Sequence, residues 1–411
     1  MARGATIGAA LLAGWLACMG PASAVAGRWE LITGMRLKEE YNDNVYLLEQ
    51  PLPGETITTM SADISAVRRD ERTFFQMSGS LSAVGYSRST GADSWDQEYR
   101  MSGSHSVTER LQLGGAAALI RDSRPDRDVE SGGLVTSGLI RWQEQLSLNA
   151  SYRNTPRTSS DLSYQLANQY YQGRETSDSL SHSVAVSVLH HLGWWLPNDT
   201  VSVEGNYGTT DYWTSTVASG QALAGYGFAI DELWRLSFGV GLDYSTTRFQ
   251  EWRPAGLRTV PEFPFPVLVY ALGDASSSEL GWIARMLLDY HGEKVTASLQ
   301  WGRDTYSSGE YGGLLSRDRI LFRGERRLSE KATFSLLGEY IRFRSMDEDL
   351  VFAALDERTW RLGPGLRYRL GRDVDLAAEY AFTDRRNQVT GGESRQNKVS
   401  VTLSYDKDLL Q

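Results

Sequence analysis

Residues 234–244 read Trp-Arg-Leu-Ser-Phe-Gly-Val-Gly-Leu-Asp-Tyr. Every second residue from Trp234 to Tyr244 is apolar, and the residues between them are small or charged. Because side chains alternate across a strand, one face is wholly apolar and carries an aromatic ring at each end. About ten steps of roughly 3.3 Å, tilted by about 45°, climb about 23 Å, close to the apolar band of an outer-membrane strand. The stretch therefore predicts one strand of a transmembrane β-barrel.

The same alternation recurs along most of the chain. It is clear in the segments 146–153, 201–207, 295–302, 374–382 and 398–405. A soluble β-sandwich also alternates in this way. The strand length, the terminal aromatics and an export-type N-terminus favour the barrel.

The N-terminus has the three parts of an export signal. Arg3 supplies the positive region, residues 5–19 the apolar core, and small residues at 22–26 the cleavage site. We therefore expect a signal peptide over 1–24, with 26 as the alternative cleavage position, and a single barrel domain over 25–411. Cys18 raises an alternative, a lipoprotein acylated at that residue. Since it is the only cysteine, we expect no disulfide and no thiolate metal site in the mature chain.

Composition agrees with a barrel and excludes some partners. No stretch after the N-terminus reaches the roughly 18 apolar residues of a transmembrane helix. The mean hydropathy is −0.37, as expected where half of each strand faces water. Forty Gly, twelve Trp and twenty Tyr are typical of an aromatic-girdled β protein. The net charge of −9 argues against nucleic acid as a partner.

Connections between the predicted strands alternate between short and long. We expect tight turns near 69–71, 109–110, 143–144, 192–198, 230–232, 291–293, 328–330 and 371–372. We expect longer loops near 42–56, 89–94, 123–131, 155–178, 212–215, 250–277, 307–312, 347–355 and 386–394. The pattern predicts an antiparallel up-and-down barrel of about 18 strands, or 16 if the weak strands 57–68 and 131–142 are absent.

Aromatic residues follow the two predicted ends of the barrel. One set is expected beside the short turns: Trp142, Trp194, Trp195, Trp234 and Tyr290. The other is expected toward the long loops: Tyr86, Tyr152, Tyr207, Tyr244 and Tyr380. Two aromatic girdles at the two membrane interfaces would explain both sets.

Basic residues in the last third of the chain take the lumen phase of their predicted strands. The pore-lining candidates are Arg285, Arg317, Arg319, Arg323, Arg361, Arg367 and Arg369, with Asp289, Glu339 and Glu379. A stripe of guanidinium groups would select for anions or acidic sugars. Alternatively, the arginines form internal ion pairs with acids of the same phase, which also include Asp304 and Glu325. Both interpretations stay open at this point.

The segment 250–277 holds four prolines among apolar residues. Because proline cannot donate to a sheet ladder, we expect a long external loop. It could constrict the lumen, dock a partner or cover the barrel. Acidic residues at predicted strand ends, including Glu39, Glu40 and Asp93, match no metal-binding pattern, and we expect solvated charges and no metal.

Nothing in the sequence predicts catalysis. The chain lacks the Gly-x-Ser-x-Gly, His-Glu-x-x-His and Gly-x-x-x-x-Gly-Lys motifs. Of its five histidines, His105 and His182 lie on predicted strands near small polar residues and could belong to a dispersed triad, but nothing in their spacing requires one. We expect no enzyme activity and no cofactor.

The segment from Leu37 to Leu47 contains Tyr41-Asn42-Asp43-Asn44-Val45. It resembles the opening hairpin of the β-barrel porin 2 family, whose members begin with a strand running into a Tyr-Asp/Asn-Asp-Asn turn. Asn42 stands where an Asp is common in that family. The final residues, from Tyr405 to Gln411, also depart from the usual terminal aromatic of barrel-assembly signals. The resemblance implies an outer-membrane channel with no defined catalytic residues, and several members are associated with exopolysaccharide export.

These features predict a bacterial outer-membrane protein that serves as a passive pore, with a secreted exopolysaccharide as the cargo that the resemblance implies. A general diffusion porin for small solutes is one alternative. A structural sheath around a partner such as a multi-haem cytochrome is another. The expected partners are outer-membrane lipid and lipopolysaccharide, the barrel-assembly machinery and a periplasmic polysaccharide-export protein.

Overall fold

A computed structural model describes residues 28–89, 92–124, 140–172, 178–193, 198–213, 215–258, 267–308, 313–345 and 355–409. The predicted signal peptide and Cys18 lie outside these residues. The described chain forms eighteen strands. They are β1 Arg28–Asn42, β2 Glu55–Arg69, β3 Thr73–Tyr86, β4 Ser94–Ser106, β5 Leu111–Asp122, β6 Arg141–Thr155, β7 Thr158–Tyr171, β8 Ser179–His191, β9 Thr200–Tyr212, β10 Ser215–Ala229, β11 Trp234–Arg258, β12 Val267–His291, β13 Val295–Ser308, β14 Gly313–Arg327, β15 Ala332–Ser345, β16 Asp356–Arg369, β17 Val374–Asn387 and β18 Glu393–Asp408.

The eighteen strands form one closed antiparallel sheet. Each strand pairs with the next along the chain, and β1 also pairs with β18, from Ile32 opposite Asp408 to Asn42 opposite Lys398. This last ladder removes both free edges of the sheet. The predicted up-and-down barrel of about 18 strands is therefore confirmed, including the weakly signalled β2.

The register sets one face of every strand outward. On β11 the outward side chains Val240, Leu242 and Tyr244 are 63%, 58% and 54% exposed, whereas the inward Asp243 is 1% exposed. Neighbouring strands continue the belt, with Val203 and Leu280 at 59% and 67%. An exposed apolar belt around a closed barrel is a surface made for lipid, and bacterial barrels of this kind span the outer membrane. The protein is an outer-membrane β-barrel. Among the described residues there is no helix long and apolar enough to cross a membrane.

Long and short connections lie at opposite ends of the barrel. The start of β1 at Arg28 and the end of β18 at Asp408 lie at the end with the short turns, such as the β2–β3 turn after Arg69 and the β16–β17 turn after Arg369. We call this the turn end and the other the loop end. By the general architecture of outer-membrane barrels, the turn end is periplasmic and the loop end external. Within the turn end, Trp234 and Tyr290 lie in contact, with ring centroids 4.7 Å apart.

The predicted turn near 143–144 is wrong. Strand β6 runs unbroken through these residues, and the turn lies at 156–157, between β6 and β7. Trp142 therefore lies at the loop end, stacked on Tyr170 with centroids 6.2 Å apart, and Tyr152 lies at the turn end. The predicted loop 155–178 is wrong as well, because 158–171 is strand β7; its composition resembles a loop since most of its lumen-facing positions are Ser, Asp or Gln. The expected strand 131–142 falls mostly outside the described residues, as do Trp194 and Trp195.

The predicted loop 250–277 is also wrong. Strands β11 and β12 continue through it as a ribbon, pairing up to Arg258 opposite Val267. The register shifts between Pro254 and Gly256. A bulge is one of the few places where a sheet tolerates proline. Only 259–266 lies outside the two strands, and these residues are outside the described chain.

We expect a charged side chain in the outward apolar belt to destabilise the folded barrel. Substituting Val240→Arg near the centre of the β11 belt should lower the free energy of unfolding in lipid vesicles by about 2–4 kcal/mol. Gln221→Arg, on the lumen face of β10, is the matched control and should change it by less than about 1 kcal/mol. Urea titration of the refolded barrel measures both. Equal losses for the two variants would contradict the assignment of the faces.

Candidate pore lumen

The register places all ten predicted pore-lining residues on inward positions. Arg285 is opposite the inward Gly239, and Arg319, Arg323 and Glu339 follow in phase on β14 and β15. The remaining candidates are inward in the same way on β12, β14, β16 and β17: Asp289, Arg317, Arg361, Arg367, Arg369 and Glu379. These side chains do not share one environment, because their surroundings change along the barrel axis.

At the loop end the inward arginines are paired. Glu339 is 4% exposed and binds two of them. Its Oε1 accepts from Nε and Nη2 of Arg319 at 2.8 and 2.5 Å, and its Oε2 accepts from Nη1 of Arg361 at 3.0 Å. Arg317 donates to both oxygens of Asp304 at 2.9 and 2.5 Å. The ion-pair interpretation therefore describes this level of the lumen.

One strong inward pair was not among the predicted residues. Glu357 is fully buried, and its two oxygens accept from Nε and Nη2 of Arg385, both at 2.6 Å. A bidentate geometry of this kind offsets the cost of removing a carboxylate from water. The alternation of β16 and β17 predicts that both side chains point into the lumen. It does not predict which residues of the two strands lie opposite each other, so the pair itself could not be predicted.

A further ion pair crosses several strands. Nη2 of Arg285 on β12 contacts Oε1 of Glu204 on β9, although β10 and β11 lie between them. Beside it, the inward positions of β11 are Gly239 and Gly241. A methyl group at Gly241 would overlap the carbonyl oxygen of Ala222. Because these two glycines have no side chain, the inner surface of β11 leaves room for the Arg285–Glu204 ion pair to pass over it.

Apolar side chains cover part of the lumen wall at the loop end. Leu315, Ile341 and Phe343 take inward positions on β14 and β15 and form a cluster with Leu355, all at most 5% exposed. Apolar groups buried on an inward face cannot border an open water-filled lumen. The lumen next to β14 and β15 is therefore occupied by packed protein at the loop end, and not by water.

A second apolar cluster shows how a loop enters the lumen. Val45, from the β1–β2 loop, packs against the inward Ile57, Val84 and Tyr86 of β2 and β3. Next to it, a cavity of about 260 Å³ is lined by residues that include Lys38, Glu40 and Asp96. The loop thus folds inward over the wall and leaves a small polar space beneath it.

The Asn42-Asp43-Asn44 segment holds this loop in place. Asn44 Nδ2 donates to the carbonyl oxygens of Leu48 and Arg395 at 2.8 and 2.9 Å, and its Oδ1 accepts from the Leu48 amide at 2.9 Å. Asp43 accepts from the Asn397 amide and side chain, both at 2.7 Å. The motif that suggested the family resemblance therefore fastens the first loop to β18, at the seam where the barrel closes.

Toward the turn end the inward charges are more open. Arg323, Arg367 and Glu379 are exposed on the inward face. In the described part of the chain, Arg323 and Arg367 have no acidic oxygen within ion-pair distance, and Arg369 lies 3.8 Å from Asp375. The guanidinium groups of Arg323 and Arg367 therefore face the lumen water, as the selectivity-stripe interpretation requires.

The two sides of the lumen differ in charge. Inward positions on β14–β16 carry seven arginines and three acids: Arg317, Arg319, Arg323, Arg327, Arg361, Arg367, Arg369, Glu325, Glu339 and Glu357. Inward positions on β2–β5 carry five acids and two arginines: Glu55, Asp63, Asp96, Glu98, Asp122, Arg69 and Arg100. A basic sector of the wall and an acidic sector thus lie on either side of β17, β18 and β1, and the potential varies around the pore.

The histidines considered for catalysis do not meet in the lumen. His105 on β4 and His182 on β8 both take outward positions. Each ring bonds a neighbouring strand: His105 Nδ1 lies 2.9 Å from Thr73 Oγ1, and His182 Nδ1 lies 2.8 Å from the Tyr164 hydroxyl. Among the described residues, no three His, Cys, Asp or Glu side chains are grouped to hold a metal ion.

No protein-family model matches the sequence, and no curated protein of similar sequence matches it. Solved structures with a similar fold include OccK2 (OpdF) of Pseudomonas aeruginosa, with 11% identity and a TM-score of 0.48, covering 93% of this chain and 98% of that one. OccAB2 of Acinetobacter baumannii has 12% identity and a TM-score of 0.47, with the same coverage. OprD of Pseudomonas aeruginosa has 9% identity and a TM-score of 0.45, covering 93% of this chain and 96% of that one.

We expect Asn44→Ala to release the first loop. The substitution removes three hydrogen bonds and leaves the Arg395 carbonyl without its side-chain donor, so hydrogen exchange at residues 43–54 should accelerate at least tenfold, equivalent to about 1.4 kcal/mol. Asn387→Ala is the matched control, because Asn387 caps only the β17–β18 loop through the amides of Val389 and Thr390. Exchange at 43–54 that is unchanged in Asn44→Ala would contradict the fastening role.

Proposed function

We propose that the protein is a passive diffusion channel for small hydrophilic solutes across the outer membrane, with a preference for anions. The observation that carries this proposal is the open basic surface of Arg323 and Arg367 on the inward face of a closed barrel. A barrel of 16–18 strands is wide enough to enclose an aqueous channel. Guanidinium groups without acidic partners would raise the local concentration of anions along that channel.

The loop end supports small solutes as the cargo. There the inward face is covered by the two apolar clusters and by the paired arginines around Glu339 and Glu357. A lumen narrowed from several sides would pass small molecules more readily than a polymer. The paired arginines keep fixed positions, so they would shape the narrow zone, whereas the open ones nearer the periplasm would set the sign of the preferred ion.

Export of an exopolysaccharide is the second candidate. It rests on the resemblance of the Tyr41–Val45 segment, and the comparisons with known proteins give it no support. The contacts of Asn44 give that segment a structural role in closing the first loop over the lumen. A barrel that serves a polymer would need this loop to move, and the periplasmic export protein that the resemblance implies would have to drive or permit that movement.

Single-channel recording in a planar bilayer tests the proposal. The refolded barrel should give steady conductance with chloride more permeant than potassium. Replacing both open arginines by glutamine, Arg323→Gln with Arg367→Gln, should reduce the chloride-to-potassium permeability ratio at least twofold, because the removed charges face the ion path.

Arg326→Gln is the matched control, since Arg326 lies on the same strand as Arg323 but points outward. It should leave the permeability ratio unchanged. A silent bilayer with correctly folded protein would contradict the diffusion channel and favour a sheath around a partner. Steady conductance that is blocked only by long anionic oligosaccharides would favour polysaccharide export.

A further inference from the structure

A row of charged side chains crosses the outer surface of the barrel near the loop end of β13–β18. The strand ladders place its members side by side on outward positions. In strand order they are Arg303, Asp318, Arg342, Arg358, Arg386 and Glu393. The row lies on the face that continues the lipid-facing belt, and so it is separate from the charges of the lumen.

Three arginines in this row are direct cross-strand neighbours. Arg342 is opposite Arg358, and Arg358 is opposite Arg386. Like charges in directly opposed positions destabilise a sheet. Arg342 is balanced by a bidentate pair with Asp356, at 2.9 and 2.6 Å, and Arg386 contacts Asp384 at 3.1 Å.

Arg358, in the middle of the row, has no such pair, although Asp356, whose oxygens bind Arg342, also attracts it by charge. Within the described chain it forms no ion pair, and its buried Nε has no hydrogen-bond partner. Arg344, beside Asp356 on the outer face, is exposed and also has no ion pair in the described chain. Arg358 in the row and Arg344 beside it therefore have no hydrogen-bonded acid in the described chain.

The position of the row relative to the membrane follows from its neighbours. One layer closer to the turn end, the outward residues are Ile320, Tyr340 and Trp360. The two rings lie 4.5 Å apart, and Trp360 is 56% exposed. Exposed aromatic rings of this kind mark the membrane interface. The arginines above them are thus at the level of the lipid headgroups, on the external side.

The basic charge is confined to this side of the barrel. The outward surface near the loop end of β13–β18 carries six arginines and four acids: Arg303, Arg342, Arg344, Arg358, Arg386, Arg395, Asp318, Asp356, Asp384 and Glu393. We call this set the arginine patch. At the same level on the other twelve strands, the described outward side chains include only two arginines, Arg121 and Arg248. The six arginines exceed the four acids by two, so on a chain of net charge −9 this patch has a local positive excess that favours an anionic partner.

We propose that the arginine patch binds the phosphate groups of lipopolysaccharide in the external leaflet of the outer membrane. Guanidinium groups match phosphate oxygens in a bidentate geometry, and a phosphate above Arg358 would reach its two cross-strand neighbours as well. The aromatic layer below would contact the acyl region. This assignment rests on the outer surface alone and does not depend on what passes through the lumen.

Native mass spectrometry of the folded, full-length barrel in detergent tests the assignment. The probes are bis-phosphorylated lipid A and the same lipid with both phosphates removed. The wild type should bind the phosphorylated lipid at least tenfold more tightly than the dephosphorylated one. The triple variant R342Q, R358Q and R386Q should lose this difference, and R358K alone should keep most of it because it keeps the charge.

R248Q is the matched control, because Arg248 is outward near the loop end of β11 but lies outside the patch. Heat-modifiable migration in gels shows that each variant is folded before binding is measured. Equal binding of the two lipids by the wild type would overturn the assignment. So would an unchanged triple variant, or an equal loss of binding in R248Q.

Discussion

The pairing of β1 with β18 is the interaction on which the rest of the structure depends. In the hydrocarbon of a membrane, an unpaired backbone amide or carbonyl has no water to bind, so a sheet can cross only when its edges are joined. The ladder from Ile32 opposite Asp408 to Asn42 opposite Lys398 joins them. Once the sheet is closed, every strand has one face in lipid and one in the lumen, and each residue is assigned to one of them by its position.

This assignment explains why the two charged surfaces have different properties. Inward arginines such as Arg319 and Arg361 share the carboxylate of Glu339 deep in the lumen wall, where an uncompensated charge would be costly. Outward arginines such as Arg358 are placed above the aromatic layer, where lipid headgroups supply the missing anion in our proposal. Arginine therefore forms ion pairs in the lumen wall when it points inward, and it contacts the membrane surface when it points outward.

The period of the sequence was enough to predict the architecture. The alternation of 234–244 predicts the outward face of β11, and the alternation along β14 gives Arg317, Arg319 and Arg323 one phase, which the register turns inward, because that strand has no interruption. Prediction failed where local composition opposed tertiary pairing. The lumen face of β7 is so polar that it resembles a loop, and Pro254 lies in a strand because a bulge accommodates it.

The lumen was harder to predict than the wall. Which acid meets which arginine depends on the register between strands, and alternation gives phase but not register. Glu357 and Arg385 are an example. The alternation of their strands turns both into the lumen, but only the register between the strands shows that they meet. The inward burial of Phe343 and Leu315 could not be predicted either, because an apolar residue on a barrel strand is expected to face lipid. Only the folding of the loops over the lumen reverses that expectation.

The most direct measurement of the central claim is a disulfide across the seam. Leu37 is opposite Leu403 on β18 and opposite Met60 on β2. With Cys18 replaced by serine, cysteines at 37 and 403 should crosslink in the membrane-inserted protein, and so should cysteines at 37 and 60, because both pairs are direct cross-strand neighbours within disulfide reach. Crosslinking of 37 with 60 alone, in folded protein, would mean that the sheet is open, and the account of both faces would then fail.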